Sequence, residues 1–402
     1  MGSQWAGMGK ELMRFPTFLK AIQKCDAALK PYGVDIVKII TSKDKETFDN
    51  VLNSFVGIAA IQIGLVDLLT SVGIVPDNII GHSVGELGCA YADGCFTAEQ
   101  MVLSAYSRGL ASIETELIYG SMAAIGLGYA QIKQMCPPDI EVACHNSADS
   151  STISGPAESM KKFVAKLQAQ KIFAKEVPCG NIAYHSRYIA EAGPKLLAYL
   201  RKVIPVPKPR SPKWVSTSVP RSQWSTPGAQ LSSAEYHTNN LLNSVLFAET
   251  ATMIPSDAIT IEIAPHGLLQ AILKRSLDST VTNVPLTHRG HKDNAEFFLQ
   301  ALGKLYNVGL QPQLQNLYPS VSFPVSRGTP MISPLVKWEH TEDWFVPIYK
   351  QRQKITTSER LVNIELKDVS FEYMAHHVID GRNLVPATGY LMLVWESVSL
   401  ME

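Results

Sequence analysis

The stretch Ile80-Gly81-His82-Ser83-Val84-Gly85-Glu86 puts a serine on a short turn between two glycines. An apolar strand is predicted to end at Ile80, and a helix follows from Leu87. This pattern is typical of a nucleophile elbow, and it predicts that a side chain at either glycine would collide where the two backbones cross. The N–H groups after the serine lie at the helix start, where the dipole favours a developing oxyanion. The stretch therefore predicts a nucleophilic hydroxyl beside half of an oxyanion hole, although a turn without chemistry fits the same motif.

The composition is that of an ordinary globular protein. The chain has 402 residues, 46% of them hydrophobic, and a formal net charge of zero, so we expect no nucleic-acid partner. Six cysteines lie scattered without CxxC spacing and with no recognisable secretory signal, which predicts reduced thiols in a cytoplasmic protein and no metal site. The most apolar run, residues 55–72, is interrupted by Gln62 and Asp67, which predicts a buried core helix and no membrane segment.

The order of predicted elements indicates an α/β fold with an insertion. Residues 55–69 and 99–110 have helical spacing, and residues 75–80 form the strand before the serine. Residues from about 120 to 180 alternate as β-α-β-β-α-β, which predicts a ferredoxin-like subdomain. The chain then returns to α/β elements, so residues 1–310 are predicted to form one domain with a doubly wound, mostly parallel sheet.

The glycine-rich segment at residues 2–9 precedes the first predicted helix. In a doubly wound sheet such a loop normally follows the first strand, and the sequence has no strand before it. We therefore expect the front edge of the sheet to be missing.

The remaining residues divide at a proline-rich stretch. Residues 311–350 hold six prolines together with Trp338 and Trp344, which predicts an extended linker that lies against a surface. Residues 351–402 are predicted to contain a strand at 361–364 and, at the end, an apolar helix.

A nucleophilic serine needs a base, and histidine is the side chain that titrates near neutrality. Adjacent side chains diverge on an elbow, so His82 is a poor partner for Ser83. His185 lies at the exit of the insertion, where it can be aimed across a cleft, although it also fits a structural histidine. Arg108, 25 residues after Ser83, has a planar fork that can hold a carboxylate, although most arginines on a helix are surface cations.

Several motifs, taken in this order, resemble the malonyl/acetyl transferase domain of an animal-type fatty acid synthase. The resemblance runs from residue 2 to about residue 347. The motifs that carry it are Gly2-Ser3-Gln4-Trp5-Ala6-Gly7-Met8-Gly9, Gly81-His82-Ser83-Val84-Gly85-Glu86, Tyr91-Ala92-Asp93-Gly94-Cys95, Arg108-Gly109, His145-Asn146-Ser147, Ile153-Ser154-Gly155-Pro156, Ala183-Tyr184-His185-Ser186 and Arg327-Gly328-Thr329-Pro330.

The resemblance implies a ping-pong acyl transfer. Ser83, deprotonated by His185, would attack the thioester of malonyl-CoA or acetyl-CoA, and the acyl-serine would then pass its group to the phosphopantetheine of an acyl carrier protein. The implied partners are that carrier protein and other fatty acid synthase domains. No tightly bound cofactor is implied.

The resemblance also implies roles for residues around the serine. The backbone N–H groups of Val84 and Gln4 would form the oxyanion hole, and Arg108 would clamp the free carboxylate of malonate. Tyr184 and Ile182, beside the base, resemble the family's acyl-selectivity positions. Phenylalanine is more usual at position 184, so the chain and branch preference stays open. Ser244 stands where the family commonly has proline, a departure expected to be local. Supporting roles at most are assigned to Asn146, Asn240 and His266.

The final 50 or so residues resemble the opening of the synthase's dehydratase domain, which has a hot-dog fold. His377, Gly381 and Pro386 match its HxxxGxxxxP pattern, in which the histidine is a base. Such an enzyme also needs an acid from a second half, so we predict a degenerate site and no dehydration.

Two other functions fit parts of this pattern. An α/β-hydrolase or thioesterase shares the elbow, but it expects an acid and then the histidine after the serine, and it leaves Arg108 unexplained. The chain is also expected to be a shortened synthase fragment, because loss of the first strand would expose a sheet edge and displace Gln4. Such a fragment would serve only as an interaction module.

Overall fold

The computed structural model describes residues 2–318 and 359–399. The gap between them coincides with a division of the chain into two compact units. Within residues 2–318, a five-stranded sheet has a small apolar core of its own, and a larger core fills the α/β body.

The first third of the larger unit is mainly helical and is organised around one buried helix. Its elements are α1 (Pro16–Leu29), α2 (Ile36–Thr41), α3 (Val51–Ser71), β1 (Ile79–Ile80), α4 (Gly85–Ala92) and α5 (Ala98–Glu114).

Helix α3 begins where the Asn50 side chain accepts the Leu52 N–H at 2.9 Å. Gly64 lets α1 approach closely, because a Cβ there would lie 2.3 Å from the Phe18 ring. Among the described residues, α3 alone has the length and apolarity of a membrane-spanning helix, and 83% of its apolar window is buried inside the protein. The prediction of a core helix is confirmed.

The insertion is a ferredoxin-like subdomain, as predicted. Its elements are β2 (Gly120–Ile125), α6 (Tyr129–Met135), β3 (Glu141–Ser147), β4 (Ser150–Pro156), α7 (Ala157–Ala169) and β5 (Ala174–Val177). The sheet order is β5-β2-β4-β3, and all of these pairs are antiparallel. A further strand from the α/β body (Val245–Leu246) pairs in parallel with β3 through Cys144–Val245 and His145–Leu246, so the sheet crosses from the insertion into the body.

The chain then completes the α/β body. These elements are α8 (Gly193–Val203), β6 (Lys208–Pro209), β7 (Trp214–Val215), α9 (Pro227–Gln230), β8 (Leu231–Ser232), α10 (Ala234–Leu242), β9 (Val245–Leu246), α11 (Phe247–Ala251), β10 (Ile259–Glu262), α12 (Gln270–Ser276), β11 (Thr282–Pro285) and α13 (Asn294–Asn307).

Between strands that both belong to the body, parallel pairing among the described residues occurs in two short ladders, β1 with β7 and β10 with β11. Strand β1 is shorter than the predicted 75–80, since pairing begins where the Ile79 N–H donates to the Lys213 carbonyl at 2.8 Å. Pro76, which has no N–H to donate, lies in the unpaired part. The short ladder ends directly at the turn that carries Ser83.

The start of the predicted proline-rich linker is attached to α3. The Gln313 N–H donates to the Val72 carbonyl at 2.9 Å, and Asn316 Nδ2 donates to the Ser71 carbonyl at 2.8 Å. The rest of the predicted linker, with both of its tryptophans, lies outside the described residues. The predicted domain boundaries at 310 and 350 stay predictions.

The second unit contains a hairpin and a helix, namely β12 (Val378–Ile379), β13 (Arg382–Asn383) and α14 (Ala387–Ser399). The terminal helix agrees with the sequence prediction. The predicted strand at 361–364 is wrong, because this segment is irregular and pairs with no strand among residues 359–399; Leu361 is 91% exposed. The hot-dog fold predicted for this region stays a prediction.

Candidate active site

The elbow holds Ser83 in the left-handed backbone region, with φ at +54°. The Gly85 N–H donates to the His82 carbonyl at 2.9 Å, and the Glu86 N–H donates to the Ser83 carbonyl at 3.1 Å. A serine rarely adopts this backbone conformation, and its cost is borne by the surrounding structure. The turn therefore raises the hydroxyl above the start of α4.

At only one of the two glycines does the surrounding structure leave no space for a side chain. A Cβ on Gly81 would lie 2.6 Å from the Glu86 nitrogen and 2.6 Å from the Gly85 carbonyl carbon, whereas a Cβ on Gly85 would meet nothing within 4 Å. The predicted collision at Gly85 is wrong, because that residue opens α4 with its free face in open space. The backbones cross at Gly81.

This asymmetry gives a paired prediction. Gly81→Ala forces a backbone shift in the elbow, so we expect it to lower the free energy of unfolding by about 1–3 kcal/mol and to reduce acylation of Ser83. Gly85→Ala is the matched control, and we expect its free energy of unfolding and its acylation of Ser83 to stay near wild type. Urea denaturation of the two variants measures the difference, and equal stabilities would contradict the assignment.

His185 reaches Ser83 from the exit of the insertion. Its Nε2 lies 2.7 Å from Ser83 Oγ, and its Nδ1 lies 2.9 Å from the Asn243 carbonyl oxygen. Because a carbonyl can only accept, Nδ1 carries the proton and Nε2 is free to accept the serine proton. His185 also has a positive φ of +58°, so both residues of the contact are held in the left-handed region.

The His185 imidazole is neutral at physiological pH. Burial, and then the positive charge of Arg108, lower the pKa of His185 to about 3. Its side chain is therefore in the form that accepts a proton across the whole neutral range.

Arg108 projects from α5 toward the serine. The residue is only 3% exposed, its Nη1 donates to Asn240 Oδ1 at 2.5 Å, and its Nη2 lies 3.4 Å from Ser83 Oγ. The guanidinium carbon lies 5.7 Å from the centre of the Phe55 ring. Burial lowers the pKa of Arg108 to about 10, so the group keeps its positive charge at neutral pH. The predicted carboxylate clamp thus lies beside the predicted nucleophile.

Two backbone donors, one in the elbow and one in the glycine-rich N-terminal loop, lack partners. In residues 2–318 and 359–399, no group accepts a hydrogen bond from the N–H of Val84 or of Gln4. The loop with Gln4 is tied down, because Arg289 Nη2 donates to the carbonyls of Gly2 at 2.7 Å and Gln4 at 3.3 Å, and Trp5 Nε1 donates to the Pro265 carbonyl at 2.7 Å. Free donors in a fixed loop fit the predicted oxyanion hole.

Tyr184 lines the same region. The residue is 4% exposed, and its ring packs edge-on against Phe55 with the centroids 6.0 Å apart. Burial raises the pKa of Tyr184 to about 12, so the phenol is neutral. Because Arg108 lies over the same Phe55 ring, Tyr184 is well placed for the predicted influence on acyl choice.

Glu86, whose role the sequence left unassigned, forms a buried polar cluster under the elbow. Its carboxylate accepts bonds from Trp214 Nε1 at 3.0 Å, the Thr217 N–H at 2.8 Å and Tyr236 OH at 2.6 Å. Burial raises the pKa of this carboxyl, and Arg210 lies about 5 Å over the Trp214 and Tyr236 rings. These bonds fix α4 to β7 and α10. They could not be predicted from the sequence, because an acidic residue in a first helical turn is already explained by the helix dipole.

Asn146 and His266, which have predicted supporting roles, lie in bonded positions, and so do His82 and Ser244. His82 Nε2 contacts Asn146 Oδ1 at 2.9 Å, which turns its ring away from Ser83 as expected. Ser244 Oγ donates to the Val142 carbonyl at 2.8 Å, a contact that joins the body to strand β3 of the insertion. His266 accepts the Arg289 N–H at 3.3 Å, close to the loop that carries Gln4.

Buried histidines make stability depend on pH. His237 is only 2% exposed. This burial, and then the charges of Arg108 and Arg210, lower the pKa of His237 to about 3. The unfolded chain therefore binds more protons between pH 6.5 and 3, so the stabilisation is complete above 6.5 and decreases as the pH falls. We expect His237→Phe to reduce the slope of the free energy of unfolding against pH by roughly 1.4 kcal/mol per unit in this window. Urea denaturation between pH 4 and 8 measures the slope, and an unchanged slope would contradict this assignment.

His377 lies in the second unit, where its Nδ1 contacts the Leu384 carbonyl at 2.9 Å. Its predicted status as a degenerate dehydratase residue stays a prediction. Within the described ranges, no group of three or more histidine, cysteine, aspartate or glutamate side chains is arranged to hold a metal ion, and the six cysteines are free.

Comparison with known proteins identifies the class. Residues 1–312 match the family described as acyl transferase domain, so the chain belongs to that family. The chain is 29% identical over 448 residues to the reducing polyketide synthase FUB1 of Gibberella moniliformis, a match that covers 100% of this chain and 18% of that protein. The chain thus spans less than a fifth of that relative.

Two solved structures have the same fold. The acyltransferase domain from module 8 of the salinomycin polyketide synthase superposes with a TM-score of 0.68 at 20% identity, covering 79% of this chain and 75% of that one. The malonyl CoA-acyl carrier protein transacylase of Coxiella burnetii superposes with a TM-score of 0.63 at 21% identity. This match covers 76% of the present chain and 95% of the transacylase chain. The protein therefore has the acyltransferase fold, an α/β body with an inserted small subdomain, and the predicted fold class of this region is confirmed.

Proposed function

We propose that this acyltransferase moves malonyl and acetyl groups from CoA, through an ester on Ser83, to the phosphopantetheine thiol of an acyl carrier protein. The observation that carries the proposal is that the His185 imidazole and the Arg108 guanidinium both approach one atom, Ser83 Oγ. Ser83 Oγ lies 2.7 Å from a neutral imidazole nitrogen and 3.4 Å from a buried guanidinium. The first group activates the serine, and the second favours an acyl group that ends in a carboxylate.

The first half-reaction uses these groups in sequence. His185 Nε2 takes the Ser83 proton as Oγ attacks the thioester carbon, and the free N–H groups of Val84 and Gln4 face the developing oxyanion. The C–S bond then breaks, and the departing CoA sulfur takes the proton from His185. In the second half-reaction the phosphopantetheine thiol gives its proton to His185 and attacks the serine ester. The ester C–O bond then breaks, and Ser83 Oγ takes the proton back from His185.

We infer that the chain works within a larger synthase of the fatty acid or polyketide type. The sequence motifs favour a fatty acid synthase, and the relative reported above is a reducing polyketide synthase. Both build chains from carrier-bound acyl groups, so the site chemistry is the same. The fatty acid synthase assignment, the other synthase domains as partners and the cytoplasmic location stay predictions.

The hydrolase alternative has less support from the geometry. Among the described residues His185 Nδ1 is held by the Asn243 carbonyl, where a hydrolase triad would place a carboxylate. An interaction module without catalysis would have no need for a charged guanidinium against the serine, since burying it carries a desolvation cost.

A label-chase experiment separates the three functions. The purified chain is incubated with radiolabelled malonyl-CoA and then given a holo acyl carrier protein. We expect label on the chain and then on the carrier, and neither with Ser83→Ala. Rapid release of free malonate without acceptor would indicate a hydrolase. Absence of protein-bound label and of free malonate would indicate an interaction module.

A further inference from the structure

One side chain holds the Arg108 guanidinium in place. Asn240, on α10 and 2% exposed, accepts from Arg108 Nη1 at 2.5 Å. Because a guanidinium only donates, the amide oxygen of Asn240 must face it, and the amide nitrogen donates to Ser218 Oγ at 2.8 Å.

This contact decides which edge of Arg108 remains for a ligand. Nη1 is taken by Asn240 and Nη2 points toward Ser83, while Nε is buried and has no hydrogen-bond partner among the residues that the structure describes. A carboxylate binds a guanidinium through two parallel bonds along one edge. The Nε and Nη2 edge is the one that Asn240 does not occupy, and its Nη2 lies 3.4 Å from Ser83 Oγ.

The position of Asn240 is itself fixed by a buried chain of bonds. Ser218 N–H donates to Ser216 Oγ at 3.1 Å, Ser216 Oγ lies 2.6 Å from Tyr236 OH, and Tyr236 OH donates to Glu86 at 2.6 Å. The chain runs from the arginine to the helix that follows the elbow. The guanidinium and the nucleophile are thus held in one frame.

Building on the proposed function, we propose that Asn240 is a specificity-determining positioning residue that directs the Nε and Nη2 edge of Arg108 toward the carboxylate of a short dicarboxylic acyl group. Without it, Nη1 is unpaired and the guanidinium can rotate away from this orientation. Dicarboxylic substrates should lose affinity, whereas monocarboxylic acyl groups such as acetyl, which never contact this edge, should not.

The test is equilibrium binding of malonyl-CoA and acetyl-CoA to the full chain carrying Ser83→Ala, which cannot be acylated at this serine. We expect tighter binding of malonyl-CoA, and we expect Asn240→Ala in this background to lower the malonyl/acetyl affinity ratio at least about tenfold. Asn240→Asp is nearly isosteric and should also lower it, because the new carboxylate pairs with Arg108. Thr238→Ala, on the same helix and with no bonded Oγ1 among the described residues, is the matched control and should leave the ratio within about twofold.

Circular dichroism establishes that each variant folds, and Asn240→Asp carries the test if Asn240→Ala does not fold. The inference is overturned if a folded Asn240 variant keeps the parent ratio, if both affinities fall together, or if the parent shows no malonyl preference. The label chase on the wild-type chain is a separate readout. A chain whose malonyl preference depends on Asn240, but whose serine is never acylated, would retain this inference and overturn the proposed function.

Discussion

His185→Ala is expected to lower the rate at which malonyl-CoA acylates Ser83 by roughly 10³-fold. The wild-type imidazole is neutral and its Nε2 lies 2.7 Å from Ser83 Oγ, so it can accept the serine proton without rearrangement. Alanine leaves the hydroxyl with no described base in contact. Rapid-quench measurement of protein-bound acyl group gives the rate.

The control for this experiment is His237→Phe. His237 is also buried and neutral, but its Nε2 bonds to Ser232 Oγ and not to the predicted nucleophile. We expect its acylation rate to stay within a few-fold of wild type. An acylation rate for His185→Ala equal to that of His237→Phe would refute the role of His185 as the base.

The second large expected effect is a difference between malonyl-CoA and acetyl-CoA in how much acylation is lost. Arg108→Ala is expected to reduce acylation by malonyl-CoA about 10²-fold, because a charge-assisted pair to the carboxylate is lost in a buried site. Acetyl-CoA has no such carboxylate, so its acylation should fall less than tenfold. Loss of the Arg108 charge also removes one of the causes that lower the His185 pKa, but burial remains the larger cause, and the imidazole stays neutral near pH 7.

Arg108→Lys is the matched variant for the clamp. It keeps the charge but not the planar fork, so we expect malonyl acylation between wild type and Arg108→Ala. Competition between the two CoA esters for one sample of enzyme measures the ratio directly. Equal losses for malonyl and acetyl would show that Arg108 supports the fold and makes no contact with the carboxylate.

The elements predicted correctly from the sequence are those that depend on the order of apolar, polar and glycine residues within a short stretch of the chain. The turn at Ser83 follows from two glycines between an apolar strand and a helix, and the ferredoxin-like insertion follows from alternating short strands and amphipathic helices. The buried helix α3 follows from an apolar run too long for a strand. In each case neighbouring residues carry the information.

The predictions are wrong or incomplete where a structural feature depends on residues that are far apart in the sequence. The open space around Gly85 depends on the path of the chain outside the turn. The segment at 361–364 has no partner strand in the part of the chain that the structure describes, despite its apolar residues. Asn240 lies 132 residues from Arg108, and no sequence spacing indicates their contact. The cluster around Glu86 likewise joins three separate segments, so neither could be derived from local pattern.

The central claim is that Ser83 carries the acyl group. The most direct measurement is mass-spectrometric peptide mapping of the full chain after brief incubation with malonyl-CoA. We expect a malonyl ester on the peptide that contains Ser83, and no such ester in Ser83→Ala. An acyl group on another residue, or an unmodified Ser83 in a folded wild-type chain, would contradict it.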